Sequence, residues 1–93
     1  MPDLADEIRA ALAEMADPAR APDMQRYMKS DLPYLGAQKS RLTRVVMRMT
    51  KSAGLGREPW IATATTLWEQ AGYREERYAA LAVLRAGRMR PDD

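Results

Sequence analysis

Hydrophobic residues recur along most of this chain at intervals of three and four, the spacing that places side chains on one face of an α-helix. Five such segments are separated by short links that contain Pro or Gly, and they predict helices over about residues 3–15, 21–29, 40–53, 59–71 and 74–88. The run at 60–68 is rich in β-forming residues, but its apolar positions fit the helical period better, and a single strand would lack a partner. The pattern therefore predicts an all-α fold of about five helices.

The ends and faces of the later helices can also be predicted. Ser40 is expected to be the N-cap of the third helix, Gly54 to lie just beyond its end, and Pro59 to occupy the first position of the fourth. We expect the fourth helix to bury both tryptophans. In the fifth helix the pattern predicts four inward residues, Tyr78, Leu81, Ala82 and Leu84, and an outward group that includes Glu75 and Glu76.

Two all-α architectures remain open at this point. Five helices of about 10–15 residues with short links form either a closed bundle or a stack of helix pairs, as in helical repeat proteins. A repeat array needs about three units to be stable, and this chain offers roughly two and a half pairs. The spacing of hydrophobic residues does not choose between them.

Composition excludes several classes of chemistry. The 93 residues include no Cys and no His, so a disulfide framework, a thiolate or imidazole zinc site, a Cys nucleophile and a Ser-His-Asp triad are all excluded. We expect no metal and no cofactor. No apolar run approaches the roughly 18 residues that would suggest a membrane span, and the N-terminus lacks the basic start of a signal peptide. A cytoplasmic location and no membrane partner are therefore expected.

The formal net charge of +2 is unevenly distributed along the chain. Residues 1–25 carry a net charge of −4, residues 26–57 carry +7, and residues 58–93 carry −1. Within the basic block, residues 32–57 contain no acid at all. A concentrated positive charge of this kind is typical of a surface that meets an external polyanion.

The third helix concentrates this charge on one face. At about 100° per residue, four of its cations fall within a sector of roughly 80°, opposite the apolar stripe; they are Arg41, Arg44, Arg48 and Lys51. A helix face that merely contacts solvent usually alternates both signs of charge, so the absence of acids favours binding to a phosphate backbone. We predict phosphate-backbone contacts from these four residues and from Lys29 and Lys39 in the same block. An ordinary solvated face is the alternative.

The remaining candidates for chemistry are weaker. Tyr27 and Tyr34 flank the basic block and could contact a base or sugar, although their spacing alone favours packing in the core or the loop. Glu75 and Glu76 are assigned to the N-terminal dipole of the fifth helix. Asp31 is the single acid in the basic block and is interpreted as a loop cap or salt-bridge partner, with a catalytic carboxylate as the alternative. No catalytic residue is predicted.

Residues 27–36, which read Tyr-Met-Lys-Ser-Asp-Leu-Pro-Tyr-Leu-Gly, resemble the DNA alkylation repair family, the AlkD-like glycosylases built from HEAT-like helical repeats. Leu67-Trp68 and the segment at 73–81 are similar to the next signature of that family, so the resemblance spans about residues 23–84. Ser40 stands where members commonly have Pro before the basic helix. The resemblance implies an α-solenoid, of which residues 1–93 would be a single N-terminal segment.

The same resemblance implies a function. Tyr27 matches a Tyr that lines the lesion site, and the basic helix would face the backbone of double-stranded DNA. Family members are more than twice as long, and the acid and tryptophans credited with base excision would lie after Asp93. The chain is thus expected to be the N-terminal part of a glycosylase that excises N3- or N7-alkylated, cationic purines. A small interaction module that binds an acidic protein is the alternative, and self-association through an uncapped apolar face is a further expectation.

Overall fold

The computed structural model describes residues 3–28 and 32–88 of the chain. These residues form five helices joined by short loops: α1 (Leu4–Glu14), α2 (Ala21–Met28), α3 (Lys39–Ala53), α4 (Arg57–Glu69) and α5 (Arg74–Arg88). Helices are the regular elements throughout this part of the chain, which confirms the all-α prediction.

Most helix ends lie where the sequence indicates, with two local corrections. Gly54 adopts the left-handed conformation (φ +59°) just beyond α3, as predicted. Ser40 is not the N-cap, because α3 already begins at Lys39 and its N-cap is Gln38, which makes no side-chain capping bond. Helix α4 begins two residues before Pro59. Proline is tolerated there because the N–H groups of a first helical turn have no partner within the helix.

The core lies where α5 packs against both α3 and α4, with α1 lying across the three. Its fully buried apolar side chains come from four different helices: Ile8, Leu12, Leu42, Val46, Leu67 and Val83. Small residues on the inner side of α5 let the neighbouring helices approach closely; they are Ala79, Ala82 and Ala86. Packing of α3 and α4 on the same helix, α5, is compatible with stacked helix pairs.

The predicted faces of α4 and α5 are partly wrong. Leu81 is 53% exposed and Leu84 is also exposed, because the alanine-rich side of α5 faces the core instead. Trp68 is 41% exposed, whereas Trp60 is half-buried and its indole N–H donates to the Val83 carbonyl at 2.7 Å. The outer sides of α4 and α5 therefore form an apolar surface around a groove of about 350 Å³.

Candidate nucleic-acid interface

A buried carboxylate at the start of α5 holds the loop that leads into α3. Glu75 is 0% exposed, and its carboxylate accepts hydrogen bonds from three successive backbone N–H groups, those of Leu35 and Gly36 at 2.9 Å and Ala37 at 3.1 Å. The Arg74 N–H also donates to the Pro33 carbonyl at 2.9 Å. These bonds fix the loop to α5, so the predicted outward orientation of Glu75 is wrong.

The other side of this loop is packed against the end of α1. The Asp17 N–H donates to the Leu35 carbonyl at 2.8 Å. Gly36 has φ +92°, and a Cβ atom built on it would lie 2.1 Å from the Asp17 carbonyl oxygen. Glycine is therefore required at this position both by its backbone conformation and by the close approach of a second backbone segment.

Helix α3, which the loop positions, presents the cations predicted from its sequence. Leu42, Val46 and Thr50 are buried on one side of the helix. Arg41, Arg44, Arg48 and Lys51, which we call the basic stripe, are exposed on the other side. No ion pair joins any of the four to an acid within residues 3–28 and 32–88. The stripe is thus a row of exposed cations that form no ion pair with a described acid.

Lys39 lies apart from the basic stripe. At about 100° per residue, the first position of α3 is far from the sector that the stripe occupies. Its ammonium instead lies 4.8 Å from the centre of the Tyr78 ring. Of the other predicted contact residues, Lys29 lies outside the described residues, as does Asp31. Tyr27 belongs to α2, but its side chain is likewise outside what the structure describes.

A second polar feature, which we call the tyrosine cluster, consists of Tyr34, Tyr78, Lys39 and Arg74. The two tyrosine hydroxyls are 2.9 Å apart, and the ring centres are 6.4 Å apart at an angle of 60°. The guanidinium carbon of Arg74 lies 5.4 Å from the centre of the Tyr78 ring. Tyr34 is only 5% exposed, so its packing role is confirmed. The cluster joins the loop, the start of α3 and the first turns of α5.

The two phenols of the cluster have opposite pKa shifts. Burial, reinforced by the hydrogen bond to Tyr78, raises the pKa of Tyr34 from 10.0 to about 12. Burial would also raise the pKa of Tyr78, but hydrogen bonds from Tyr34 and Arg74, together with the charges of Arg74 and Lys39, lower it overall. The hydrogen bond to Tyr78 raises the pKa of Arg74. Tyr34 therefore loses its proton at a higher pH than Tyr78 does.

The second acid at the start of α5 also has a long-range role. Glu76 is largely buried and accepts from the Arg9 Nε atom at 2.8 Å, while Arg9 reaches the Thr66 carbonyl at 3.4 Å. This ion pair connects α1, α4 and α5. The sequence indicates neither this contact nor that of Glu75, because the partners lie about 40 or more residues away along the chain. One signal could have suggested an acceptor. The loop before α3 contains Gly and lies outside the predicted helices, so its backbone N–H groups need partners from elsewhere in the fold.

Two further classes of site are absent from the described part of the chain. No group of three or more acidic, Cys or His residues there could hold a metal ion. None of the helices is long and apolar enough to cross a membrane.

The fold and the exposed cations together define a class: an all-α protein that presents one positively charged helix face. A family model described as "DNA alkylation repair enzyme" matches residues 8–93, which is nearly the whole chain. The chain therefore belongs to the DNA alkylation repair family, its role is in DNA repair, and DNA is its partner. Searches of curated proteins and of solved structures gave no match.

Proposed function

We propose that this chain is the duplex-binding part of a DNA glycosylase that removes N3- or N7-alkylated purines. On this proposal the five helices form the N-terminal segment, residues 1–93, of a HEAT-like α-solenoid. The observation that carries the proposal is the basic stripe, which is exposed and unpaired with any described acid in a member of a DNA repair family.

The dimensions of the stripe suit a nucleic-acid backbone. Arg41 and Lys51 are ten residues apart, so at about 1.5 Å per residue the stripe extends over roughly 15 Å. Double-stranded DNA carries one negative charge for about every 1.7 Å of its axis, and each phosphate neutralised by a cation releases condensed counterions. Four exposed cations therefore support binding that is independent of base sequence and weakens steeply with salt.

The chemistry of the lesion explains how such binding would serve repair. A purine alkylated at N3 or N7 is cationic, so its glycosidic bond is already weakened, and excision gains mainly from a carboxylate that stabilises the oxocarbenium-like sugar. An aromatic face near the charged base contributes about 0.5–2 kcal/mol. On the family resemblance, Tyr27 provides that aromatic contact and the carboxylate lies outside these 93 residues. The chain alone would then bind DNA without excising a base.

Charge reversal on α3 tests the proposed face. The double variant Arg44→Glu/Arg48→Glu is expected to weaken binding to an undamaged 20-base-pair duplex by tenfold or more in a fluorescence anisotropy titration, because two attractive contacts become repulsive. The matched control, Arg20→Glu/Arg85→Glu, makes the same change in charge at exposed positions outside α3. Equal weakening by both double variants would show that only net charge matters and would reject the stripe as the interface.

A lesion-containing duplex tests the glycosylase part of the proposal. A duplex with one 7-methylguanine is expected to bind the chain a few-fold more tightly than its undamaged equivalent, and Tyr27→Ala is expected to abolish that preference while leaving undamaged binding unchanged. Chromatography of the same samples would detect released base. Release of 7-methylguanine above the rate in protein-free DNA would contradict the absence of a catalytic group from these residues.

An acidic protein partner remains the second candidate, since an exposed cation row attracts acidic peptides as well as phosphates. Competition distinguishes the two: under the leading proposal, a polyglutamate peptide at equal charge concentration displaces the duplex poorly. Self-association through the apolar surface of α4 and α5 stays a prediction, which the mass of the chain at several concentrations would decide.

A further inference from the structure

We propose that Lys39, Arg74 and Tyr78 of the tyrosine cluster form a second phosphate-binding site, which holds a DNA backbone phosphate separately from the basic stripe. This inference rests on the proposed function, because the ligand that it assigns to the cluster is the same DNA duplex. Its residues lie where the first residue of α3 meets the first two turns of α5.

The cluster places two cations on one aromatic ring. The Lys39 ammonium and the Arg74 guanidinium lie 4.8 Å and 5.4 Å from the centre of the Tyr78 ring. The electron-rich face of the ring attracts each cation, but it carries no full negative charge. Neither cation forms an ion pair with an acid in the described part of the chain. An anion would supply the full counter-charge that these residues do not.

The carboxylate of the neighbouring residue, Glu75, does not provide a counter-charge for the two cations. Glu75 directly follows Arg74 in α5, but its two oxygens already accept three backbone N–H bonds from residues 35–37. It is fully buried beneath the loop, whereas Lys39 is exposed and Arg74 is partly exposed. The hydrogen-bonding groups of the cations are therefore left for a ligand that approaches from solvent.

The hydrogen bonds of the cluster leave it with donors to offer. The two tyrosine hydroxyls share one hydrogen bond, in which either oxygen can be the donor. The Lys39 ammonium and the Arg74 guanidinium carry donors and no acceptor. A phosphate oxygen, which only accepts hydrogen bonds, is the complementary chemistry.

The donors are also held in place before any ligand arrives. The bond from the Arg74 N–H to the Pro33 carbonyl and the three bonds to Glu75 lock the start of α5 to the loop. Tyr78 lies one helical turn after Arg74, and its hydroxyl is fixed by the buried Tyr34. Such preorganisation lowers the entropy lost on binding.

The test is the salt dependence of binding to an undamaged 20-base-pair duplex. Lys39→Gln and Arg74→Gln are each expected to weaken binding about three- to tenfold at low salt and to reduce the slope of log affinity against log salt by about 0.9. Tyr78→Phe, which removes a neutral donor, is expected to weaken binding a few-fold with the slope unchanged. Arg74→Lys keeps the charge and should restore the slope.

Arg85→Gln is the matched control, because it removes one exposed arginine from the same helix, two turns beyond Tyr78. Circular dichroism and thermal melting establish that each variant is folded. If Lys39→Gln and Arg74→Gln bind like Arg85→Gln while the α3 charge reversals still weaken binding, this inference is wrong and the proposed function stands. If the α3 reversals also have no effect, both are wrong.

A second measurement separates the DNA backbone from free phosphate. The Arg74 Nε–H resonance is expected to shift on addition of duplex, and to shift little with inorganic phosphate at the same concentration of phosphate groups. An equal response to inorganic phosphate would show a site for the free anion and would overturn the assignment to DNA.

Discussion

At the scale of single residues, Glu75 has the largest structural consequence. Its carboxylate accepts hydrogen bonds from three consecutive backbone N–H groups, which belong to a loop outside the helices. Buried donors of this kind must be satisfied, since each unpaired one costs about 1–3 kcal/mol. This one side chain therefore holds the loop that leads into α3 against the start of α5.

Removal of the Glu75 carboxylate is expected to be strongly destabilising. Glu75→Ala should lower the free energy of unfolding by about 3–5 kcal/mol, because the N–H groups of residues 35–37 lose their acceptor. Glu75→Gln keeps one acceptor oxygen and should lose less. The exposed Glu69 provides the control, with a change within about 0.5 kcal/mol for Glu69→Ala. Urea unfolding measures all three, and similar stabilities for Glu75→Ala and Glu69→Ala would contradict the role of Glu75.

Tyr34 gives the fold a dependence on alkaline pH. Its pKa in the folded chain, about 12, lies above the ordinary 10.0, so its protonated form stabilises the fold. That contribution is complete below pH 10 and is lost as the pH rises from 10 to 12. The lowered pKa of Tyr78 acts in the opposite direction, since its ionisation below pH 10 is easier in the folded state. The net alkaline destabilisation should therefore appear above pH 10.

Ultraviolet absorbance at 295 nm after a rapid pH jump tests this assignment. One tyrosine of the folded chain is expected to ionise near pH 12, and Tyr34→Phe should remove that step. The Tyr73→Phe variant should retain this high-pH ionisation step, because Tyr34 is unchanged in that variant. Ionisation of all four tyrosines by pH 11 in the folded chain would contradict the burial of the Tyr34 hydroxyl.

At the scale of elements, the loop before α3 and the turn after it both depend on glycine, for different reasons. Gly54 adopts φ +59° with nothing within 4 Å of a Cβ atom built on it. Gly36 adopts φ +92°, and its Cβ would collide with the Asp17 backbone. At Gly54 only backbone strain opposes a side chain. At Gly36 both backbone strain and a steric collision oppose it.

The two glycines should therefore respond differently to alanine. Gly54→Ala is expected to cost about 1–2 kcal/mol of unfolding free energy, the usual penalty for a left-handed non-glycine residue. Gly36→Ala is expected to cost about 3 kcal/mol or more, because the contact between the loop and the end of α1 must open. Thermal unfolding of the two variants compares them directly, and equal melting temperatures would show that the loop is not packed as described.

The existence of the five helices could be predicted from the sequence, because the period of hydrophobic residues is a local property. The orientation of α5 could not. Its sequence contains one apolar stripe with Leu81 and Leu84 and another with Ala79, Ala82 and Val83. Hydrophobicity favours the leucines for the core, but close packing against α3 and α4 selects the smaller residues. That choice depends on tertiary contacts.

At the scale of the whole molecule, the acidic and basic blocks of the sequence occupy different places in the fold. The acidic first helix is tied to α5 by the Arg9–Glu76 ion pair. The basic stripe lies on the outside of α3, opposite the core. It could be predicted because its spacing alone confines it to one sector. The tyrosine cluster could not be predicted from the sequence, because Tyr34 and Tyr78 are 44 residues apart.

The central claim is that the basic stripe binds the DNA backbone, and the salt dependence of duplex binding tests it most directly. Log affinity of the unmodified chain should fall linearly with log salt, with a contribution of about −0.9 to the slope from each contacted phosphate. Replacing all four stripe cations by glutamine should make the slope shallower by up to about 3.6, whereas Arg20→Gln/Arg85→Gln should leave it nearly unchanged. The same slope in all three proteins would contradict the claim.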